Sequence, residues 1–366
     1  MVKNKLLIAG AGSGKTTHIV NDALMKNEAS ILITTFTQAN EEEIKRKFIA
    51  IHGCVPANVR IQTWFSFLLQ HGVRPYQGVK YQKKIEGLFL ISGQSATGIA
   101  ETNTENHYFT KDGKIYSDKV AKFTIKCNEQ EGSPVINRLS RIYTDIYVDE
   151  VQDLAGYDLE FLKLLLSSDL NVCLVGDPRQ ATYSTNDSAK NKQYKKSAIV
   201  NFFSDKTIHI KTDNTSLNTN YRCSKSICEI SNKLYPEFEA VLSDNKDIDN
   251  HTGLYLVGTQ DTTSYLSEFE AMQLRDSAKN KNIDPEYDVM TFGKAKGLEF
   301  DRVIIYPTKP FIEWLKGSST DLAPTSRSKL YVAITRARLS VAFVTDEQID
   351  THGIKRWENV GDKVKV

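Results

Sequence analysis

A short glycine-rich run near the N-terminus constrains this chain more than any other feature. It follows an apolar strand pattern at Lys5–Ala9 and precedes a helical pattern at Thr16–Lys26. The run reads Ala9-Gly10-Ala11-Gly12-Ser13-Gly14-Lys15-Thr16. Glycines let backbone N–H groups turn toward phosphate oxygens, and the start of the helix adds positive potential. The pattern predicts a nucleotide-phosphate loop, in which Lys15 reaches the β- and γ-phosphates and Thr16 places its hydroxyl on Mg²⁺.

The phosphate loop departs from the strict pattern at one position, because alanine stands at Ala9 where glycine is usual. A glycine-rich turn without a ligand is the alternative. Such a loop also needs an acid to hold the metal and a group to orient the attacking water. The apolar strand pattern Thr144–Val148 ends in Asp149 and Glu150. We expect Asp149 to hold Mg²⁺, directly or through water, and Glu150 to act as the base, although acidic pairs after strands are common.

Strand and helix patterns alternate along the chain, which predicts parallel α/β architecture. We expect two α/β domains, at residues 1–205 and 206–366. An irregular insertion at about 72–139 interrupts the first domain, and the turn signal at Lys111-Asp112-Gly113-Lys114 suggests a hairpin within it. The strand–helix pattern resumes in the second half at Thr207–Ile210.

The composition of the chain bears on membrane attachment, cellular location and nucleic-acid binding. The chain has 366 residues, and no stretch approaches the roughly 20 apolar residues of a membrane span. No signal-peptide pattern precedes the first strand. The five cysteines are an odd number and widely spread, which favours reduced thiols and a cytoplasmic protein without membrane attachment. The net charge of +2 neither supports nor excludes nucleic-acid binding.

Further segments occur in an order that resembles UvrD, Rep and PcrA, the superfamily 1A DNA helicases. The acidic segment Asp149–Asp153 is close to the family's motif II. The other matching segments are Thr35–Asn40 (motif Ia), Gln62–Phe67 (Ib), Gly176–Ala181 (III), Asn220–Arg222 (IV), Thr291–Asp301 (V) and Leu330–Arg338 (VI). The resemblance implies two RecA-like domains and covers nearly the whole chain except the insertion and the tail.

The same resemblance implies a role for each residue of an ATP site. Gln180 would sense the γ-phosphate, and Arg222 and Arg336 would act as arginine fingers, an effect of about 10³–10⁵ in rate. Surface salt bridges are the alternative for both arginines. Glu299 would contact the ribose and Tyr221 would stack on the base. The loop residues that would hold the nucleotide are Gly10, Ala11, Gly12, Ser13, Gly14, Lys15, Thr16 and Thr17.

The resemblance also implies a path for single-stranded DNA. Phe36, Thr63 and Trp64 stand at the family's strand contacts. Base stacking on an aromatic ring contributes roughly 1–3 kcal/mol and tolerates any sequence. Each aromatic residue could instead belong to the core, and for Phe65 and Phe67 the core is the better interpretation.

Several positions depart from the family pattern. The family's adenine-reading glutamine has no counterpart, and Thr17 replaces an arginine that stacks on adenine, so base selectivity is open. Thr185-Asn186 replaces the aromatic and basic pair after motif III, and Phe65 and Gly293 replace histidines. The stretch between Arg222 and Thr291 is too short for the large accessory domain of bigger members.

The sequence therefore predicts an ATP- and Mg²⁺-dependent translocase or helicase that moves 3′ to 5′ on single-stranded DNA or a tailed duplex. One rival is a DNA-stimulated ATPase switch that regulates a protein partner, such as a nuclease, without separating strands. A second is a nucleic-acid-binding module that has lost catalysis, which the complete set of nucleotide-site residues disfavours.

Overall fold

The computed structural model describes residues 3–247, 249–280, 282–318 and 322–359. They form two compact units. Unit 1 contains the chain up to Ile8, Lys15–Pro178 and Tyr183–Asp213, and unit 2 contains Ala9–Gly14, Arg179–Thr182 and the chain from Asn214 onward. The division at Asp213 lies later than the predicted boundary near residue 205. The reason is that Lys211 begins a strand of the first sheet, where its N–H donates to Asn4 O at 3.0 Å.

Eight strands belong to the first part of the chain. They are β1 (Lys5–Ala9), β2 (Ile31–Thr35), β3 (Val59–Thr63), β4 (Gly87–Phe89), β5 (Lys114–Tyr116), β6 (Asp145–Val148), β7 (Asn171–Gly176) and β8 (Lys211–Leu217). Six of them make one sheet in the order β3-β2-β6-β7-β1-β8. The helices are α1 (Lys15–Leu24), α2 (Gln38–His52), α3 (Trp64–Phe67), α4 (Thr104–Tyr108), α5 (Val120–Asn128), α6 (Pro134–Ile142), α7 (Tyr157–Leu166) and α8 (Ile199–Phe203).

The helix that follows β2 shows how local sequence sets the boundaries. The Thr37 side chain accepts the N–H of Asn40 at 3.1 Å, which caps the start of α2. Gly53 has φ 86° and its N–H donates to Ile49 O, which ends the helix. Ile44 and Phe48, four residues apart, form the buried face.

Helices make up most of the regular secondary structure in the insertion, which otherwise consists of turns and irregular segments. It contains α4, α5 and most of α6, together with the parallel pair β4 and β5. At the predicted hairpin, Thr110 N–H donates to Lys114 O at 2.8 Å, and Phe109 and Ile115 form a single antiparallel bridge. The turn is therefore present, but a single bridge joins β5 to the segment before the turn, and β5 forms its ladder with β4.

Trp64, expected among the strand contacts, lies in the core of unit 1. Its side chain is 1% exposed, and its indole N–H donates to Asp158 at 2.6 Å. Thr185 and Asn186 donate to the other oxygen of the same carboxylate, at 2.6 and 2.8 Å. A base cannot stack on a ring so enclosed, so the structure corrects this assignment. Apolar packing on Phe67 and Phe161 explains the position of the ring.

The strands of unit 2 are β9 (Thr219–Asn220), β10 (Leu242–Ser243), β11 (Gly253–Val257), β12 (Met272–Arg275), β13 (Val289–Thr291), β14 (Phe300–Tyr306), β15 (Ala337–Val344) and β16 (Lys355–Arg356). Six of them form a second sheet in the order β13-β12-β14-β15-β11-β16, and all five neighbouring pairs in it are parallel. The helices of unit 2 are α9 (Lys225–Leu234), α10 (Thr262–Phe269), α11 (Lys309–Leu315) and α12 (Pro324–Ile334).

The predicted fold class, two α/β domains with parallel sheets and a small insertion in the first, is confirmed. The strand predicted at Thr207–Ile210 is wrong, because the strand runs over Lys211–Leu217. Within the described residues no helix combines the length and the apolar composition needed to span a bilayer.

The buried carboxyl of Asp158 makes folding stability depend on pH. Burial raises its pKa from 3.8 to about 6, against the hydrogen bonds from Thr185, Trp64 and Asn186, which lower it. The pKa of this carboxyl is higher in the folded protein than in the unfolded chain. Its contribution to the free energy of unfolding is therefore fully present below pH 3.8 and is lost as pH rises through 6. Relative to Asp158→Asn, the wild type should lose up to about 3 kcal/mol of unfolding free energy between pH 4 and 7. Urea titrations of both proteins measure this difference, and a difference independent of pH would contradict the account.

Candidate nucleotide site

The phosphate loop leaves β1 and leads into α1. Gly12 and Gly14 have φ values of 67° and 77°, a region that glycine adopts without strain. Ser13 is buried, and its hydroxyl has no hydrogen-bond partner among the described residues. A buried hydroxyl in this loop needs a ligand, which a phosphate oxygen would provide.

In unit 1, Asp149 and Glu150 follow β6, as the sequence predicted. Burial, and after it the charge of Glu150, raise the pKa of Asp149 to about 7, while the charge of Lys15 lowers it. A buried carboxyl beside a second acid is stabilised as a carboxylate by a cation. Asp149, with the hydroxyl of Thr16 at the start of α1, therefore fits a divalent ion, although the described residues contain no cluster of three acidic, histidine or cysteine ligands.

Glu150 has an unusual backbone and a defined partner. Its φ is 56°, a left-handed conformation that is rare outside glycine and concentrated at functional sites. Gln152 donates from its amide nitrogen to the Glu150 carboxylate, and its carbonyl oxygen accepts the N–H of Asp177 at 3.1 Å. Gln152 thus connects the acid after β6 with the backbone after β7. It was not assigned a role from the sequence.

In unit 2, Arg336 is held next to Gln180. The arginine side chain is 2% exposed. Its guanidinium donates to Gln180 Oε1 at 3.2 Å and to Leu298 O at 3.0 Å, and its Nε donates to Val332 O at 3.2 Å. Surface salt bridging, the alternative for this residue, does not describe a guanidinium buried in this way.

Arg222 and Glu299, two further predicted site residues, pair with each other in unit 2. The Arg222 Nε donates to the Glu299 carboxylate at 2.8 Å. Tyr221 is 62% exposed, so its ring lies outside the core. The backbone N–H of Tyr221 donates to Gly12 O at 3.0 Å. Asn220 accepts the N–H groups of Arg222 and Cys223, both at 2.8 Å, and fixes this turn.

The sequence of this chain matches two protein-family models. A model described as the viral superfamily 1 RNA helicase core domain matches residues 113–345, and one described as an AAA domain matches residues 1–186. The chain belongs to the superfamily 1 helicases. Both ranges include predicted site residues. The helicase core model covers Arg222 and Arg336, and the AAA model covers the phosphate loop.

Individual relatives of this helicase core are distant. The RecB subunit of the RecBCD enzyme of Borreliella burgdorferi is 25% identical over 227 residues, which cover 59% of this chain and 17% of RecB. Crystal structures of the arterivirus helicase, nonstructural protein 10, alone and with DNA, are 15% identical with TM-scores of 0.47 and 0.46. The matches cover 96% and 93% of this chain, and 61% and 60% of the arterivirus helicase chains. This helicase core thus spans less than two thirds of the length of each.

Three aromatic rings lie together at the surface of unit 1 of the helicase core. Phe36, after β2, is 6.0 Å from Phe65 and 6.2 Å from Tyr183 between ring centroids. Tyr183 is 39% exposed, and Phe36 and Phe65 are half-buried. Thr63, beside them, caps α3 by accepting the N–H of Ser66 at 3.3 Å. The sequence patterns do not single out Tyr183, an aromatic residue among polar ones shortly after Gln180.

Replacing Gly12 tests the loop geometry. A Cβ on Gly12 would lie 2.4 Å from Asn220 Oδ1 and would force a side chain into φ 67°. Gly12→Ala should therefore weaken nucleotide binding about 5- to 150-fold, since such strain costs roughly 1–3 kcal/mol. Titration with a fluorescent ATP analogue measures the affinity.

Gly53→Ala is the matched control, because Gly53 also has positive φ but nothing lies within 4 Å of its added Cβ. Gly53→Ala should lose stability and keep nucleotide affinity. Equal affinity of the two variants for the analogue would contradict the assignment of the loop.

Proposed function

We propose that this chain is an ATPase motor of the UvrD-like branch of superfamily 1, which translocates 3′ to 5′ along single-stranded DNA. The observation that carries the proposal is the common edge of the first sheet. Lys15 and Thr16 follow β1 there, and Asp149 and Glu150 follow β6, with the charge of Lys15 acting on Asp149. The direction and the preference for DNA rest on the resemblance of the motifs to UvrD, Rep and PcrA.

ATP binding and hydrolysis follow from these groups. The phosphate loop from Gly10 to Thr16 holds the phosphates. Thr16 and Asp149 would hold Mg²⁺, which would neutralise phosphate charge. Glu150, positioned by Gln152, takes the proton of the attacking water. The remaining assigned side chains act on the bound nucleotide: Gln180, Arg222 and Arg336 on the γ-phosphate, Glu299 on the ribose, Tyr221 on the base, and Thr17 at the edge of the base site.

The nucleic-acid contact that we propose is the aromatic surface of unit 1. The exposed ring of Tyr183 lies 6.2 Å from that of the half-buried Phe36, measured between centroids, and Thr63 adds a hydroxyl. Stacking on such rings is sequence-tolerant, as a translocating protein requires.

An ATPase switch that controls a protein partner is the second candidate. It is favoured by the short stretch between Arg222 and Thr291, which leaves no room for a large duplex-gripping domain. RecB, similar over part of this chain, is by name a subunit of a larger enzyme. Strand separation on a tailed duplex with ATP distinguishes the two, because a switch hydrolyses ATP and leaves the duplex paired.

Glu150→Gln separates nucleotide binding from turnover. The amide keeps the shape of the side chain but cannot accept the proton, so turnover should fall about 10²–10⁴-fold while ATP affinity stays near wild type. Lys15→Ala is the comparison, and it should lose affinity as well. Steady-state hydrolysis and analogue titration measure the two quantities. Wild-type turnover by Glu150→Gln would disprove the assignment of the base.

Substitution of the aromatic surface tests the nucleic-acid contact. Phe36→Ala and Tyr183→Ala should each weaken oligo(dT) binding by about 1–3 kcal/mol, because each removes one stacking face. Phe89→Ala is the control, since Phe89 is an exposed aromatic residue of the insertion. Fluorescence anisotropy with a labelled oligonucleotide measures binding. Oligonucleotide affinities that are unchanged in both surface variants would place the contact elsewhere.

A further inference from the structure

A buried tyrosine of unit 2 binds the backbone of the phosphate loop. The N–H of Ala11 donates to the Tyr331 hydroxyl at 3.3 Å, and both residues are buried. Tyr331 lies on α12, within the segment that resembles motif VI. This contact joins the loop to the helix that leads into Arg336.

The neighbouring backbone groups of the loop are also held. Arg179 donates to Ala9 O at 2.8 Å, and its guanidinium carbon lies 5.5 Å from the centre of the Tyr331 ring. The N–H of Gly10 donates to Leu217 O at 3.0 Å. A Cβ on Gly10 would come within 2.6 Å of Val241, so the side chains of unit 2 fit closely against this part of the loop.

The Tyr331 ring has a fixed orientation. Tyr235 packs edge-on against it, with centroids 5.6 Å apart and an interplanar angle of 89°. The Tyr331 carbonyl accepts the N–H of Thr335 at 3.0 Å, and Arg336 Nε bonds to the carbonyl of Val332. The same turn of helix therefore fixes the phenol against the loop and the guanidinium beside Gln180.

We propose that Tyr331 is a positioning residue, whose hydroxyl holds the phosphate loop in the conformation that receives the nucleotide. This inference rests on the proposed ATPase function. The loop amides bind phosphate effectively only if they are already oriented, and loss of one buried acceptor lets the loop leave that orientation. Because the loop holds the phosphates in both the ground state and the transition state, the loss affects binding and not the chemical step.

Tyr331→Phe tests this inference, because it removes the hydroxyl and keeps the ring. The KM for ATP and the dissociation constant of a fluorescent ATP analogue should both rise about two- to tenfold, with kcat near wild type. Steady-state hydrolysis, analogue titration and urea unfolding are measured on the full chain.

Tyr235→Phe is the matched control. Tyr235 is equally buried, packs on Tyr331, and its hydroxyl bonds to Ser328 at 2.9 Å, away from the loop. It should lose a comparable part of the unfolding free energy and keep the wild-type dissociation constant.

Two outcomes would overturn the inference. One is a Tyr331→Phe protein with the dissociation constant of the wild type. The other is an equal rise in the dissociation constant for the analogue in Tyr331→Phe and Tyr235→Phe. Such a result would mean that general loosening of the core is responsible. If the wild type binds the analogue without hydrolysing ATP, the proposed function fails, but the comparison of dissociation constants still decides the role of Tyr331.

Discussion

The parallel register of three central strands is the constraint on which the site depends. In β1 and β7, Ile8 pairs with Gly176, and in β6 and β7, Val148 pairs with Leu174. Parallel strands end at the same edge, so this register brings the start of the phosphate loop, Asp149 and Asp177 to one side of the sheet. A shift of one residue would turn each of these side chains to the other face.

The site combines arrangements that cost stability in the protein alone. Asp149 is buried next to a second acid, Glu150 has left-handed φ, and the buried Ser13 hydroxyl has no hydrogen-bond partner among the described residues. Each is unfavourable by itself. A bound divalent ion would offset the burial of Asp149, and a phosphate oxygen would give the Ser13 hydroxyl a partner. Ligand binding is therefore expected to stabilise this part of the molecule, because the folded protein binds the ligand and the unfolded chain does not.

Features encoded by neighbouring residues could be predicted from the sequence. The strand at Lys5–Ala9, the helix after the phosphate loop and the strand that ends before Asp149 depend on apolar patterns within a short stretch of chain. Features that depend on distant partners could not. The burial of Trp64 required Asp158, and the bond from Ala11 to Tyr331 joins residues at opposite ends of the chain. The insertion has weak periodicity, which is why its helices were not predicted.

The central claim is that nucleic acid controls ATP hydrolysis by this chain, and the rate of hydrolysis tests it most directly. The rate is measured with the purified protein and Mg²⁺, with and without single-stranded DNA, and Lys15→Ala serves as the blank. The account predicts hydrolysis above the blank that single-stranded DNA stimulates strongly. Hydrolysis that does not respond to DNA, or a rate equal to that of Lys15→Ala under both conditions, would contradict it.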